Sequence, residues 1–191
     1  MAADKPGIPG MPRYKASSVS TMTIEWDDVS DNGGSLITAY NVYVDTGDLT
    51  DDTFNLVGST EQLEFTLDNT VLTQYIAGSR YRFRITAVNV LGESDPSNEV
   101  RVELASLPPK PASPSIDRVR STLTSLYVQW LSPAANTLGY RLYMSEKGQG
   151  QFNKVYDGTT NRDIRSANVT GLVTGKVYSF YVEAVNFNGV G

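Results

Sequence analysis

The sequence predicts an all-β chain folded as two β-sandwiches in tandem, and three observations carry that prediction. Short runs of alternating apolar and polar residues recur at even spacing, with turn residues between them and no helical period, which is the pattern of a sandwich. The run Tyr81-Arg82-Phe83-Arg84-Ile85-Thr86-Ala87-Val88-Asn89 returns 97 residues later as Tyr178-Ser179-Phe180-Tyr181-Val182-Glu183-Ala184-Val185-Asn186. Each copy reaches a glycine three residues on, Gly92 and Gly189, and the proline-rich stretch Leu107 to Pro114 lies between the copies. A strand that recurs with its following turn marks a repeated domain, and 191 residues suffice for two domains with a core each. The expected division is residues 1–105, a linker over 106–114, and residues 115–191.

The elements follow in order. Pro6, Pro9 and Pro12, with Gly7 and Gly10, read as an extended lead-in to an edge strand, where proline is tolerated. Met22, Ile24 and Trp26 alternate inward on the next strand. Asp27 to Ser35 is a turn-rich loop around Asn32-Gly33-Gly34. Tyr40, Val42 and Val44 then point inward while Asn41 and Tyr43 point outward. After the acidic loop Asp45 to Asp52 come a short strand near Phe54 to Val57 and a strand with Leu63, Phe65 and Leu67 on one face. The Arg80 to Val88 strand follows, and a last strand spans Ser97 to Leu104. Four prolines between Pro108 and Pro114 favour an extended, semi-rigid connection.

The pattern then restarts. Leu126, Val128 and Trp130 repeat Met22, Ile24 and Trp26, and Tyr140, Leu142 and Met144 repeat Tyr40, Val42 and Val44. The offset falls from 104 at the tryptophan to 100 at the first tyrosine and 97 at the second, so the residues lost in the second repeat lie in its loops. Repeat 2 reaches Gly191 inside the turn that leads to its seventh strand. The second sandwich is therefore expected to lack its last strand in this chain. The edge of the Tyr178 to Asn186 strand is left open either to the continuation of a longer chain or to pairing with another copy or partner.

Composition narrows the chemistry. Cysteine and histidine are both absent. Disulfides, thiolate or imidazole metal sites and Cys- or His-based nucleophile systems are thereby excluded. Carboxylate chemistry needs a placed pair in a cleft, and no motif supplies one, so an enzyme is not expected and neither is a cofactor. The clusters Asp45, Asp48, Asp51, Asp52 and Asp27, Asp28, Asp31 lack the spacing of a calcium loop and read as solvated acidic loops. No apolar run approaches the ~18 residues of a membrane span. The start Met-Ala-Ala-Asp-Lys-Pro-Gly carries no signal core. The net charge of −5 is uneven: residues 1–105 hold 7 Lys and Arg against 16 Asp and Glu, and residues 106–191 hold 9 against 5, giving −9 and +4. That asymmetry can steer head-to-tail contact between copies or partners, or reflect solvated faces that drift in composition between the repeats, and no dense basic patch points to nucleic acid.

Trp26 and Trp130, Tyr40 and Tyr140, and the doubled Tyr-x-Phe-x-(Ile/Val)-x-Ala-Val-Asn run together resemble tandem fibronectin type III domains over the whole chain. The resemblance implies two immunoglobulin-like sandwiches with Trp26, Tyr40, Tyr81, Trp130, Tyr140 and Tyr178 in their cores. Tyr81 and Tyr178 are expected as corner residues that tie their hydroxyls to nearby backbone. It also implies a non-catalytic protein-interaction and spacer module, of adhesion or scaffold type, within a larger repeat protein; the alternative is a pair of accessory domains of a larger enzyme, for example a carbohydrate-active one. An extracellular or cell-surface location is favoured over a cytoplasmic one. Tyr43, Arg82 and Arg84 in repeat 1 and Arg141, Tyr143 and Tyr181 in repeat 2 are the candidate protein contacts, because outward arginine and tyrosine side chains on neighbouring strands suit stacking against a partner. Asn168-Val169-Thr170 is a glycosylation sequon. There is no Arg-Gly-Asp triplet, and the partner is not specified.

Overall fold

The computed structural model describes residues 3–48, 50–133 and 136–191. Met1 and Ala2, part of the start read for a signal core, lie outside the described residues. The chain forms two compact units, 1–106 and 107–191, and every regular element described in either is a strand.

Unit 1 contains β1 (Arg13–Ser17), β2 (Thr21–Glu25), β3 (Ala39–Asp45), β4 (Phe54–Thr60), β5 (Glu64–Asp68), β6 (Arg80–Asn89), β7 (Gly92–Glu93) and β8 (Val100–Glu103). One sheet has the order β1-β2-β5, and the other β4-β3-β6-β7 with β8 also on β6; all pairs are antiparallel. Two-residue alternation turns Met22, Ile24, Tyr40, Val42, Phe83 and Ile85 into the space between the sheets, where all are buried. Trp26 meets Tyr40 edge-on at 5.6 Å between ring centroids. Tyr81 is 2% exposed, and its hydroxyl accepts the Ile76 amide at 2.6 Å.

Two details differ from expectation. Leu63 lies ahead of β5 and is exposed, so Phe65 and Leu67 alone carry that face inward. The last strand is shorter than the expected Ser97 to Leu104, running only from Val100 to Glu103. Serine side chains fill the gap: Ser94 and Ser97 amides donate to Ala87 and Ile85 carbonyls (2.9 Å each), while their Oγ atoms accept the Ala87 and Ile85 amides at 3.0 and 3.1 Å. The edge of β6 is thus handed from β7 to β8 through two hydroxyls.

Unit 2 contains β9 (Ser115–Thr122), β10 (Ser125–Gln129), β11 (Gly139–Glu146), β12 (Asn153–Gly158), β13 (Ser166–Thr170) and β14 (Tyr178–Val185). Its sheets run β13-β10-β9 and β12-β11-β14. The core holds Val128, Trp130, Tyr140, Leu142, Val182 and Ala184 among others. Residues 107–114, expected as a separate linker, group with this unit; Pro108 and Pro111 are buried.

Beyond β14 the described chain makes an isolated bridge, Val185 to Val190, and a Gly191 amide bond to the Ala184 carbonyl at 3.1 Å. That bond matches Ser94 to Ala87 in unit 1. From Val182 back to Tyr178, β14 has β11 on one side and, among the described residues, no strand on the other. Tyr178 keeps its corner bond, accepting the Val173 amide at 2.9 Å. It is nonetheless only half-buried, because no described strand of unit 2 pairs with it as Val102 of β8 pairs with Tyr81. Tyr178, expected in the core, packs against its margin instead.

The two inward tyrosines after the tryptophans differ in a way that substitution will expose. Tyr40 donates to Asp28 and accepts the Val29 amide at 3.1 Å. The positions matching Asp28 and Val29 in repeat 2 are Ser132 and Pro133, and proline has no amide to offer. The Tyr140 hydroxyl is buried without a partner among the described residues. Tyr40→Phe should therefore cost unit 1 about 1–2 kcal/mol, while Tyr140→Phe should be neutral or stabilise unit 2 by up to ~1 kcal/mol. Burial, then the bond to Asp28, push the Tyr40 phenol up to about 12. The unfolded chain ionises near ~10, so this contribution is complete below pH ~10 and is lost as pH climbs toward 12. Thermal unfolding of both variants at pH 7 and 11 checks the pair; equal effects at the two tyrosines would refute it.

Candidate functional site

On the outer face of the β4-β3-β6-β7 sheet, the strand period turns Asn41, Tyr43, Arg84 and Thr86 outward together. Glu93, on β7, collects three of their donors on one oxygen: Asn41 Nδ2 (3.0 Å), the Tyr43 hydroxyl (2.7 Å) and the Thr86 hydroxyl. Burial opposes the Glu93 charge, but these hydrogen bonds and nearby Lys5 outweigh it and hold the carboxyl below its ordinary value. Arg84 stacks on Phe54, its guanidinium carbon 3.9 Å from the ring centroid, and pairs with Asp52 at 3.0 Å. Tyr43, Phe54, Arg84, Thr86, Glu93 and Pro96 enclose a cavity of about 270 Å³.

Arg82 does not join this surface. Its Nε donates to Asp45 Oδ2 at 2.7 Å and its backbone amide to Asp45 Oδ1 at 3.0 Å, with Asp52, Glu99 and the Asp51 carbonyl taking the remaining donors. The hydrogen bond to Asp45 is the main cause of its raised pKa. Arg82 is buried, so the expectation that it offers its charge to a partner is corrected: the acidic loop folds back over the strand and consumes it. The reading of Asp45 as part of a solvated acidic loop is corrected, since its carboxylate is fully buried, and the roles of Phe54 and Glu93 were not visible in the strand pattern.

In unit 2 the matching face is aromatic. Tyr143 and Tyr181 are direct cross-strand partners whose rings stack at 4.8 Å and 6°, and Phe152 meets Tyr181 edge-on at 4.9 Å. Neither tyrosine hydroxyl has a hydrogen-bond partner among the described residues. Burial, followed by the charge of Glu183, raises the Tyr181 phenol. Arg141 reaches Asp157 at 3.8 Å, and Lys154 takes the same carboxylate at 2.6 Å. The position that holds Glu93 in unit 1 is Val190 here, so no carboxylate pins these rings. Asn168 is exposed in mid-β13, opposite Tyr127 of β10.

Among the described residues no group of three acidic side chains is placed to hold a metal ion, and no helix is long and apolar enough to cross a membrane.

Comparison with known proteins agrees with this architecture. The family model for the fibronectin type III domain matches residues 8–103 and 109–191. Human myomesin-2 is 34% identical over 180 residues, 90% of this chain, and human fibronectin type-III domain-containing protein 3A is 28% identical over 193 aligned positions, 98% of it. The chain spans only 12% and 15% of those two proteins. The crystal structure of chicken CNTN1 FN1-FN3 domains superposes on the whole chain with a TM-score of 0.54 at 17% identity, the match spanning 65% of that structure, a likeness of fold alone. This chain belongs to the fibronectin type III domain family, of which it carries two successive copies.

Proposed function

We propose that this pair of domains is a non-catalytic protein-interaction and spacer module, of adhesion or scaffold type, working inside a longer repeat protein. The observation that carries the reading is the Tyr143–Tyr181–Phe152 stack. It is an aromatic surface with free phenol hydroxyls on a sheet face, where nothing in the fold requires two tyrosines to stack. Aromatic side chains with a polar tip are favoured anchors of protein interfaces, since they bury much area for little lost freedom. Tyr43 and Arg84 on the matching face of unit 1 form a second, more polar contact candidate. Strand pairing along the edge of β14 belongs to the same proposal, because main-chain groups between Tyr178 and Val182 face outward there. Asn168 is exposed enough to carry a glycan if the chain passes through a secretory compartment.

The immobilised chain should capture from an extract of its own source a protein that Tyr143→Ala with Tyr181→Ala releases. The double variant should keep its circular dichroism and a Tm within a few degrees. Capture that persists in that variant and in Arg84→Ala would remove both faces from the proposal. A chain that captures nothing specific would count against an interaction role.

A further inference from the structure

The loop between β2 and β3 in unit 1 builds a groove that the fold does not use. Leu36, Ile37 and Leu63, with Asp28, Tyr40 and Glu61, line a cavity of about 570 Å³. It adjoins a second, of about 330 Å³, on the Asp31 side of the same loop. Leu36 is 81% exposed, yet the loop beside it is pinned. The Gly7 amide donates to the Asp31 carbonyl at 2.9 Å, the Asp4 amide to the Gly33 carbonyl at 2.8 Å, and Asn89 Nδ2 to the Asn32 carbonyl at 3.0 Å. Gly33 is required there: its φ is 67°, and a Cβ would lie 2.1 Å from the Asp4 carbonyl oxygen. Asp28, Asp31 and Glu61 form no ion pair among the described residues. The result is an apolar floor held by a pinned loop, beside three carboxylates that no described cation neutralises.

Unit 2 carries a protrusion of opposite charge. Between Asp117 and Thr122, β9 bulges away from β10, whose Ser125 and Tyr127 oppose the whole stretch. Asp117 Oδ1 accepts the Val119 and Arg120 amides at 3.0 and 3.2 Å, and the Ser121 hydroxyl ties the base of the bulge to Asp117 O and the Tyr127 amide. Arg118, Val119 and Arg120 stand out of the sheet as a braced knuckle, with Val119 95% exposed. Arg120 rests over the Tyr127 ring at 4.9 Å and pairs with Asp117 at 3.6 Å, while Arg118 makes no ion pair among the described residues. A charged bulge protects an edge strand from unwanted pairing. That role explains the arginines but leaves the valine between them unexplained.

We propose that the Arg118-Val119-Arg120 knuckle of one copy docks in the acidic groove of unit 1 of a second copy, with Val119 against Leu36 and Leu63 and the arginines facing Asp28, Asp31 and Glu61. The charge division of −9 and +4 between the repeats steers this encounter and disfavours groove-to-groove contact. Knuckle and groove are different surfaces, so each docked copy still presents one of each, and association proceeds head to tail. One such contact is small and therefore weak; several in register along a longer chain would multiply through effective concentration. The inference rests on the chain being an interaction module but not on the tyrosine stack of unit 2.

Sedimentation equilibrium of the 191-residue chain tests it, between about 10 and 500 µM, in about 20 mM and about 0.5 M salt, where screening differs severalfold. The expected result is a mass that rises with concentration above 20.9 kDa in low salt and falls back in high salt. Val119→Asp and Leu36→Asp, both at exposed positions, should each weaken association roughly tenfold or more. Glu61→Arg and Arg118→Glu should each do the same alone, while a mixture of those two variants associates again. A mass of one chain at every concentration overturns the proposal and leaves the capture experiment standing. Association that ignores salt and Leu36→Asp assigns the contact to another surface, the β14 edge foremost, and equally overturns it.

Discussion

Trp130→Ala is expected to cost unit 2 about 3–5 kcal/mol and to leave it largely unfolded at 37 °C. Trp130 is buried between Tyr140, at 5.9 Å between ring centroids, and Tyr156, at 5.7 Å. Its Nε1 has no hydrogen-bond partner among the described residues, so truncation releases no polar bond and leaves a cavity bounded by rings that cannot collapse into it. The domain has little margin. It is cross-linked by no disulfide, its core cluster is smaller than that of unit 1, and a domain of this size is held by roughly 5–15 kcal/mol in total. Calorimetry of the intact chain should show one transition moving down or vanishing while the other stays. A shift of a degree or two would mean that the indole is not a core element.

Asp45→Ala should be almost as damaging in unit 1, by about 3–5 kcal/mol, because it strands the buried Arg82 guanidinium. The carboxylate is fully buried and accepts the Arg82 amide, Arg82 Nε and the Gly47 amide. Asp52 and Glu99 remain near Arg82 at 3.3 and 3.5 Å, but Asp52 is solvent-exposed and neither reaches Nε. Replacing both partners, as Asp45→Leu with Arg82→Met, should recover much of the loss, since the cost lies in the unpaired charge rather than in the missing bridge. Urea titration of the unit 1 transition measures both. If Asp45→Ala shifts stability by less than ~1 kcal/mol, water already reaches the pair and its burial has been misread.

Much of this was legible in the sequence, and for a simple reason. A strand's side chains alternate with a period of two, so Tyr81, Phe83, Ile85 and Ala87 declare their face without help from the rest of the fold. The same period turns Arg82, Arg84 and Thr86 outward, and there it stops being informative. Whether an outward arginine meets solvent depends on what loops lie over the sheet, and the Asp45 to Asp52 loop covers Arg82 while leaving Arg84 half-open. Glu93 was hidden for a related reason: its three donors come from β3 and β6, and only the β6–β7 turn brings it to them. Tyr178 was placed in the core by its motif, and it is only half-buried because the open edge read beside that same strand leaves its flank uncovered among the described residues. The orphaned Tyr140 hydroxyl, by contrast, was readable: aligning the repeats sets Pro133 against Val29, and a proline cannot donate.

The serine hand-off along β6 is where unit 1 is expected to give first under load, which stretching a single chain would check. Any pull through the covalent chain toward unit 2 leaves unit 1 by way of β8, only four residues long, and then meets the stretch that Ser97 and Ser94 fasten to Ile85 and Ala87. Each fastening is a pair, a backbone amide given to a β6 carbonyl and a serine hydroxyl taking a β6 amide, and only the hydroxyl half can swing away on its single bond. The seam can therefore yield one stitch at a time and close again, while the rings of Trp26 and Tyr40 remain packed. A domain fastened this way can lengthen slightly under tension before its core is asked to give.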